Sequence, residues 1–279
     1  MSESQNINLQ EENEFKKVTE LISRNYKLFI AGIIVALGMA YIVNRFSIPV
    51  YKISSSVLIK EDTKLSGGSD ANNYLNSSLF RMNQNFQNEL WILKSSPVIE
   101  QTIINLDLSV SYYRKKGFQY FDAYKNAPFH IVFQQDHVQP INVRFYISFM
   151  NKEYFEIRAE SGKTSFYNFE NNKTIYQKDS WSFLKNGKVG ELIETSDLAF
   201  IVESDSTKKV FDKKDSSYGF EFTDIPSLVT GFKNEFQFNS TDKLSTVVEI
   251  SLKSESLIKG TDLVNELMRV SSLQNLDRK

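Results

Sequence analysis

The longest apolar run of the chain lies near its N-terminus. Leu28–Asn44, LFIAGIIVALGMAYIVN, holds no charged residue. It is apolar on every face and not along one stripe, which predicts a helix surrounded by lipid and not one lying on a protein core. At ~1.5 Å rise per residue it would run about 26 Å. With Tyr26 and Phe46 at its ends it reaches about 30 Å, the thickness of a bilayer's hydrocarbon core. Gly32, Ala36, Gly38 and Ala40 are small and suit packing against another membrane helix. A cleaved signal peptide is the competing reading, with Gly38-Met39-Ala40 as the small-x-small site. A signal n-region is short and basic, whereas the residues before this run include Glu3, Glu11, Glu12, Glu14 and Glu20.

The flanks differ. Met1–Asn13 is polar and aperiodic and reads as a disordered tail. Glu14–Lys27 carries Phe15, Val18, Leu21, Ile22 and Tyr26 at helical spacing, a short amphipathic helix leading into the membrane. Lys16, Lys17, Arg24 and Lys27 precede the span; Arg45, Lys52 and Lys60 follow it. That slight excess favours the N-terminus inside and places most of the chain outside the cytosol.

Beyond Pro49 the pattern becomes that of a water-soluble body. Tyr51, Ile53, Ser55, Val57 and Ile59 alternate with Lys52, Ser54, Ser56 and Leu58, a half-buried strand. Thr63–Asn76, rich in Ser, Gly and Asn, reads as a loop. Asn83–Leu93 reads as a helix with Phe86, Leu90 and Leu93 on one side. Ser96 as N-cap and Pro97 at the first helical position start a second helix, whose buried stripe is Val98, Ile99, Thr102, Ile103 and Leu106. Asp107–Tyr113 turns extended, and from Asn126 to Phe222 the pattern is β. Ile141, Val143, Phe145, Ile147 and Phe149 alternate as one unbroken strand. Met150-Asn151-Lys152 then turns into Tyr154–Ala159, and further strands fall at Lys163–Asn168, Thr174–Gln177, Ala199–Glu203 and Tyr218–Phe222. Short strands with turn residues between them suggest a β-sandwich-like insert. Ile225–Thr230 is helical. Glu235–Asn239 and Thr246–Lys253 are strands. Ser256 caps a last helix with Leu263, Leu267, Val270 and Leu273 at helical spacing.

The expected fold class is therefore α+β: a transmembrane helix, then an α/β domain outside the cytosol carrying a β-sandwich-like insert. The expected divisions are 1–27 tail and amphipathic helix, 28–46 transmembrane helix, 47–125 first part of the α/β domain, 126–222 β-rich insert, and 223–279 the closing strands and last helix of the α/β domain.

Composition narrows the chemistry. The net charge of −1 gives no sign of a nucleic-acid partner. With no cysteine there is neither a disulfide framework nor a thiolate metal site, and His130 and His137 are too few for a histidine-rich one. The 22 Phe and 13 Tyr fall largely on alternating positions, which points to sheets and not to a ligand box.

Several segments together resemble the polysaccharide co-polymerase (chain-length determinant, Wzz-like) family. They are the membrane helix, YKISSSVLI from Tyr51 to Ile59, NELWILKSSPVIEQTIINLDL from Asn88 to Leu108, and VEISL from Val248 to Leu252. The last is followed by a helix with Leu263, Val264, Asn265 and Leu267. The insert is similar to that of large, kinase-linked members. The resemblance implies an inner-membrane protein with its body in the periplasm. Such a protein would form homo-oligomers and act by scaffolding on the chain length or export of a surface polysaccharide. Its implied partners are lipid, itself, the polymerase or export machinery, and the polysaccharide. Members of the kinase-linked class add a second membrane helix and a tyrosine autokinase domain. This sequence shows neither, and on that ground reads as a truncated piece or a split gene product.

No residue is singled out as catalytic, cofactor-binding or metal-binding. Ser161-Gly162-Lys163-Thr164 imitates the end of a P-loop, but the Gly needed five positions before Gly162 is Ile157, inside a strand; a β-turn is expected. Asp205–Asp215 mixes both charges and reads as a solvated loop, with contact to an anionic saccharide as the sharper alternative. No Ser/His/Asp spacing suggests a nucleophile elbow, and no carboxylate pair for glycoside chemistry can be chosen among 34 acidic residues. The sequons at Asn76, Asn172 and Asn239 fit chance in an Asn- and Ser-rich chain. Trp91 is expected in helix packing, while Trp181 stays open between core and a sugar-stacking surface. Two other functions stand beside the scaffold: a membrane-anchored enzyme acting on envelope glycans, and a single-span extracytoplasmic adaptor.

Overall fold

The computed structural model describes residues 24–59, 86–205, 217–240 and 247–276. The expected tail, the amphipathic helix up to residue 23, the Thr63–Asn76 loop and nearly all of Asp205–Asp215 lie outside the described residues. The chain divides into two units, Met1–Pro49 and Val50–Lys279.

Among its described residues the first unit holds the helix α1 (Tyr26–Phe46). None of its residues is buried, and by length and composition it suffices to cross a membrane. It ends three residues before Pro49, with Ser47 already extended.

The second unit is mostly sheet. Over all described residues, α1 included, strands hold 42% and helices 35%, which corrects the α+β expectation. The difference comes from polar or short strands that an alternation test passes over. The strands are β1 (Tyr51–Leu58), β2 (Val110–Lys116), β3 (Gln119–Asp122), β4 (Phe129–Phe133), β5 (Gln139–Ile141), β6 (Arg144–Phe149), β7 (Tyr154–Ser161) and β8 (Thr164–Asn168). They continue as β9 (Lys173–Lys178), β10 (Trp181–Lys188), β11 (Leu192–Glu194), β12 (Ala199–Ser204), β13 (Ser217–Phe222), β14 (Gln237–Ser240) and β15 (Val247–Ser254). Of these, β3, β4, β10 and β11 were not expected as individual strands, although the last three lie within the stretch 126–222 expected to be β. β10 ends Lys-Asn-Gly-Lys and mostly faces water, as an edge strand does.

Three sheets form. The largest has nine strands in the order β10-β7-β6-β13-β5-β8-β9, with β2 paired to β13 and β3 to β2. A second runs β11-β12-β4. These two share one core, in which Phe145, Phe155, Phe166, Phe200, Phe220 and Phe222 are fully buried. Phe145 stacks on Phe220 with ring centres 4.7 Å apart. Among the described residues every strand pairing is antiparallel except the β5–β13 bridge at Ile141 and Phe222.

The unbroken 141–149 strand is in fact two. Asn142 takes φ +59°, a left-handed conformation that asparagine tolerates, and its N–H donates to Phe222 O at 2.8 Å. The break sends β5 toward β8 while β6 stays between β7 and β13. The apolar side chains remain inward on both sides of it.

The third sheet, β1-β15-β14, shares a core with the helices α2 (Ser96–Asn105), α3 (Ile225–Glu235) and α4 (Leu257–Leu276). Val98, Ile99 and Ile103 of α2 meet Val248, Ile250 and Leu252 of β15 and Leu263 and Leu267 of α4 there. Gly260 lets α4 come close to β1, since a Cβ there would stand 2.5 Å from Ile53 Cδ1. The caps follow the sequence with small shifts. Ser95, not Ser96, is the N-cap of α2, one position earlier than read. Asp224 caps α3 by accepting the Ser227 N–H, and Ser256 Oγ accepts the Lys259 N–H at the start of α4. α3 runs five residues beyond the predicted Thr230. Residues 86–93 are helical, with Phe86 and Leu93 buried. Trp91 is 73% exposed, which corrects its expected place in helix packing.

Candidate functional site

Two polar constellations stand out in the body. The first lines a pocket of about 460 Å³ bounded by the end of α2, β2, the 3-10 turn Tyr124–Asn126 and β4. The local sequence builds it at the helix end. Leu108 N–H bonds Ile103 O, and Asp107 N–H bonds Ile104 O, both at 3.1 Å. This is the Schellman arrangement, with Asp107 at φ +51° where glycine is commonest. The Asp107 carboxylate comes within 3.7 Å of His130 Nε2. On the other side of the ring, the Tyr112 hydroxyl lies 3.1 Å from His130 Nδ1 while accepting the Ile131 N–H at 3.0 Å. Nδ1 of the ring thus faces the phenol and Nε2 faces the Asp107 carboxylate. Burial is the main reason why the Tyr112 phenol holds its proton far above the ordinary range.

Tyr124, on the far wall, takes φ +35°, unusual for a bulky side chain. Its hydroxyl donates to Asp262 at 3.1 Å, and Lys125 Nζ donates to the same oxygen at 2.6 Å. Burial first, then the Asp262 charge, push the Tyr124 phenol up to about 12. Lys259 pairs with Asp122 at 2.7 Å, so α4 clasps the β3–turn segment through two ion pairs. The pocket offers an imidazole N–H, carboxylates and phenol edges. Among the described residues, no group of three or more His, Asp or Glu side chains could hold a metal ion.

The second constellation covers the outer face of the nine-stranded sheet. Register sets Tyr113, Gly219, Tyr146 and Arg158 side by side across β2, β13, β6 and β7. Glycine leaves a gap in this row, and a Cβ there would stand 2.9 Å from Phe145 O. The Arg144 side chain crosses the gap and lays its guanidinium 4.1 Å from the Tyr113 ring centre and 5.4 Å from that of Tyr120. Tyr120 and Tyr146 follow at 5.6 Å, and Arg158 lies 5.7 Å over Tyr146. Glu221, directly opposite Arg144, approaches it at 3.7 Å. Burial raises the Glu221 carboxyl above its ordinary pKa, against the pull of Arg144.

Trp181 is settled as core. It is 6% exposed, and its ring N–H donates to Asp197 at 3.0 Å. Lys178 and the Tyr176 hydroxyl bond the same carboxylate. Burial opposes ionisation of Asp197, but these three donors outweigh it and hold the carboxyl below its ordinary value. Ser161 and Thr164 lie at the ends of β7 and β8, with Gly162 and Lys163 as the turn between them. The P-loop imitation is thus a two-residue connection between strands that do not pair with each other, β7 lying between β10 and β6 and β8 between β5 and β9. Of the pocket lining, the sequence offered His130 only as an isolated histidine and Asp205 only as the start of a charged loop, and it singled out no residue of the tyrosine row. Their positions scatter over residues 107–221, and only strand register brings them together.

A family model described as Human herpesvirus U55 protein matches residues 6–170, more than half of the chain. The chain belongs to that family. No curated protein matches it. Membership of the U55 family overturns the likeness to Wzz-like co-polymerases, and with it the chain-length-determinant description. The segments that carried the likeness do form as strands and helices. They are structural, however: an apolar helix, an alternating strand and a Ser-Pro helix start arise from general physical chemistry in unrelated chains. The U55 match covers the helix α1, the pocket residues Asp107, Tyr112, Tyr124 and His130, and the arginines of the sheet face.

Proposed function

We propose that this chain is a membrane-anchored binding protein that acts as a scaffold, with α1 in lipid and the body offering surfaces to partners. The observation that carries the reading is α1 itself. Twenty-one residues include only Lys27 and Arg45 as charges, both near the ends, and no residue is covered. So much apolar surface requires lipid or protein around it. Carbonate extraction of membranes from cells making the full chain tests the anchor. The protein is expected in the pellet, and its release into the supernatant would refute it. Mass photometry in detergent tests the scaffold: assemblies of several copies are expected, and a strict monomer at micromolar concentration would count against self-assembly. Protease added to sealed vesicles should reach the body from the side opposite residues 1–25.

A second reading gives the scaffold a polysaccharide as its client. The face of Tyr113, Tyr120 and Tyr146 favours it, because flat rings with a polar rim suit sugar rings that are apolar on one side and hydroxylated at the edge. Titration with polysaccharide fragments, followed by chemical shifts of the tyrosine rings, separates the two readings. Absence of any shift removes the second.

A further inference from the structure

We propose that the hairpin β2–β3 is a docking tip for an anionic lipid surface. The strands pair from Tyr113–Asp122 to Lys116–Gln119, leaving a two-residue turn. Gly117 takes φ +65°, the positive angle that the first central position of such a turn needs, and this sets Phe118 at the tip. Phe118 is 93% exposed, the most exposed large apolar side chain among the described residues. Arg114, Lys115 and Lys116 precede it, all exposed, and none pairs with a carboxylate among the described residues. The stretch 114–120, RKKGFQY, holds three cations and no acid.

The chemistry selects the occupant. A phenyl ring at the end of a stiff ribbon is large enough to enter the acyl–headgroup boundary, and three cations with no acid beside it select an anionic surface. Cations beside it suit lipid phosphates, and Tyr120, with Lys115 5.9 Å over its ring, suits the headgroup level. The ribbon is braced from behind, since Tyr120 also packs on Tyr146 and under Arg144. The proposal is independent of the pocket but rests on the membrane-anchored reading, because only a body held at a bilayer meets one at high local concentration.

The absence of native cysteine makes the test direct. Phe118→Cys, carrying an environment-sensitive NBD label, is reconstituted as the full chain in nanodiscs of zwitterionic lipid or with about one-third anionic lipid. Glu194→Cys, on exposed β11, serves as the control. The label at 118 is expected to shift to the blue and to be quenched by brominated acyl chains in the anionic discs only. Half-molar salt, or Lys115→Glu with Lys116→Glu, should reduce the response about tenfold or more. Equal emission in both lipids overturns the proposal, as does quenching no greater than at 194, or a shift that follows protein concentration and not lipid. Carbonate extraction of the same labelled protein separates the two failures: retention with a silent label sinks the docking tip alone. Release with a responsive label on anionic vesicles sinks the anchor alone.

Discussion

The guanidinium of Arg144 lies 4.1 Å from the centre of the Tyr113 ring, and the strand between them contributes Gly219 at that point. The contact exists because that residue has no side chain. Gly219→Ala would set a methyl 2.9 Å from a backbone oxygen that cannot swing away, and 3.5 Å from Arg144 Cγ. A loss of about 1–3 kcal/mol is expected, read as a lower urea midpoint at unchanged slope. Arg144→Lys keeps the charge but not the plane, so the ring signals of Tyr113 and Tyr120 should shift even where stability barely changes.

Asp197 gives the fold an acid-sensitive joint. Its folded pKa lies below the ordinary 3.8 because Lys178, Tyr176 and Trp181 donate to it against the cost of burial. A lowered acid contributes stability that is complete above the unfolded value and disappears as pH falls through the folded one. Asp197→Asn should therefore lower stability at pH 7 by about 1–3 kcal/mol and flatten the decline below about pH 4. Thermal melts from pH 7 to pH 2 check both.

Lys259 and Asp122 are each less than one-fifth exposed and pair at 2.7 Å. Lys259→Ala leaves a carboxylate with little water around it, an expected cost of about 3 kcal/mol. Replacing both by apolar residues, Lys259→Met with Asp122→Leu, should cost clearly less than the sum of the single changes. Denaturant unfolding of the four proteins in a double-mutant cycle gives the coupling.

At the end of α2, Asp107 sits at φ +51°. Asp107→Gly relieves the left-handed strain, and Asp107→Val worsens it. Glycine is expected to change stability by at most about +1 kcal/mol, and valine to lower it by about 1–2 kcal/mol. The midpoints of thermal unfolding should follow the order glycine, aspartate, valine.

What could be read from the sequence was what depends on neighbours along the chain. The apolar run from Leu28 predicts α1, Ser256 predicts the start of α4, and the alternation of Val248, Ile250 and Leu252 predicts β15 with its buried face. What escaped depends on partners far away. β10 shows little alternation because only β7 holds it. The turn at Asn142 hides inside an apolar alternation that continues across it. His130 looked isolated because Asp107 and Tyr112 reach it only once α2 has ended in a left-handed residue and β2 lies beside β4's end of the pocket. The sheet-face tyrosines read as ordinary strand residues, and it is the missing side chain at 219 that lets Arg144 join them.

β1 pairs with β15 through all eight of its residues, from Tyr51 opposite Ser254 to Leu58 opposite Val247. Its partner is thus made some two hundred residues after it. During synthesis this ribbon must wait, unpaired, until almost the whole body has left the ribosome, since nothing earlier can complete its hydrogen bonds. The nine-stranded sheet, whose strands lie between residues 110 and 222, can assemble in the meantime. The segment nearest α1 in sequence can therefore close only after Val247–Ser254 has been made.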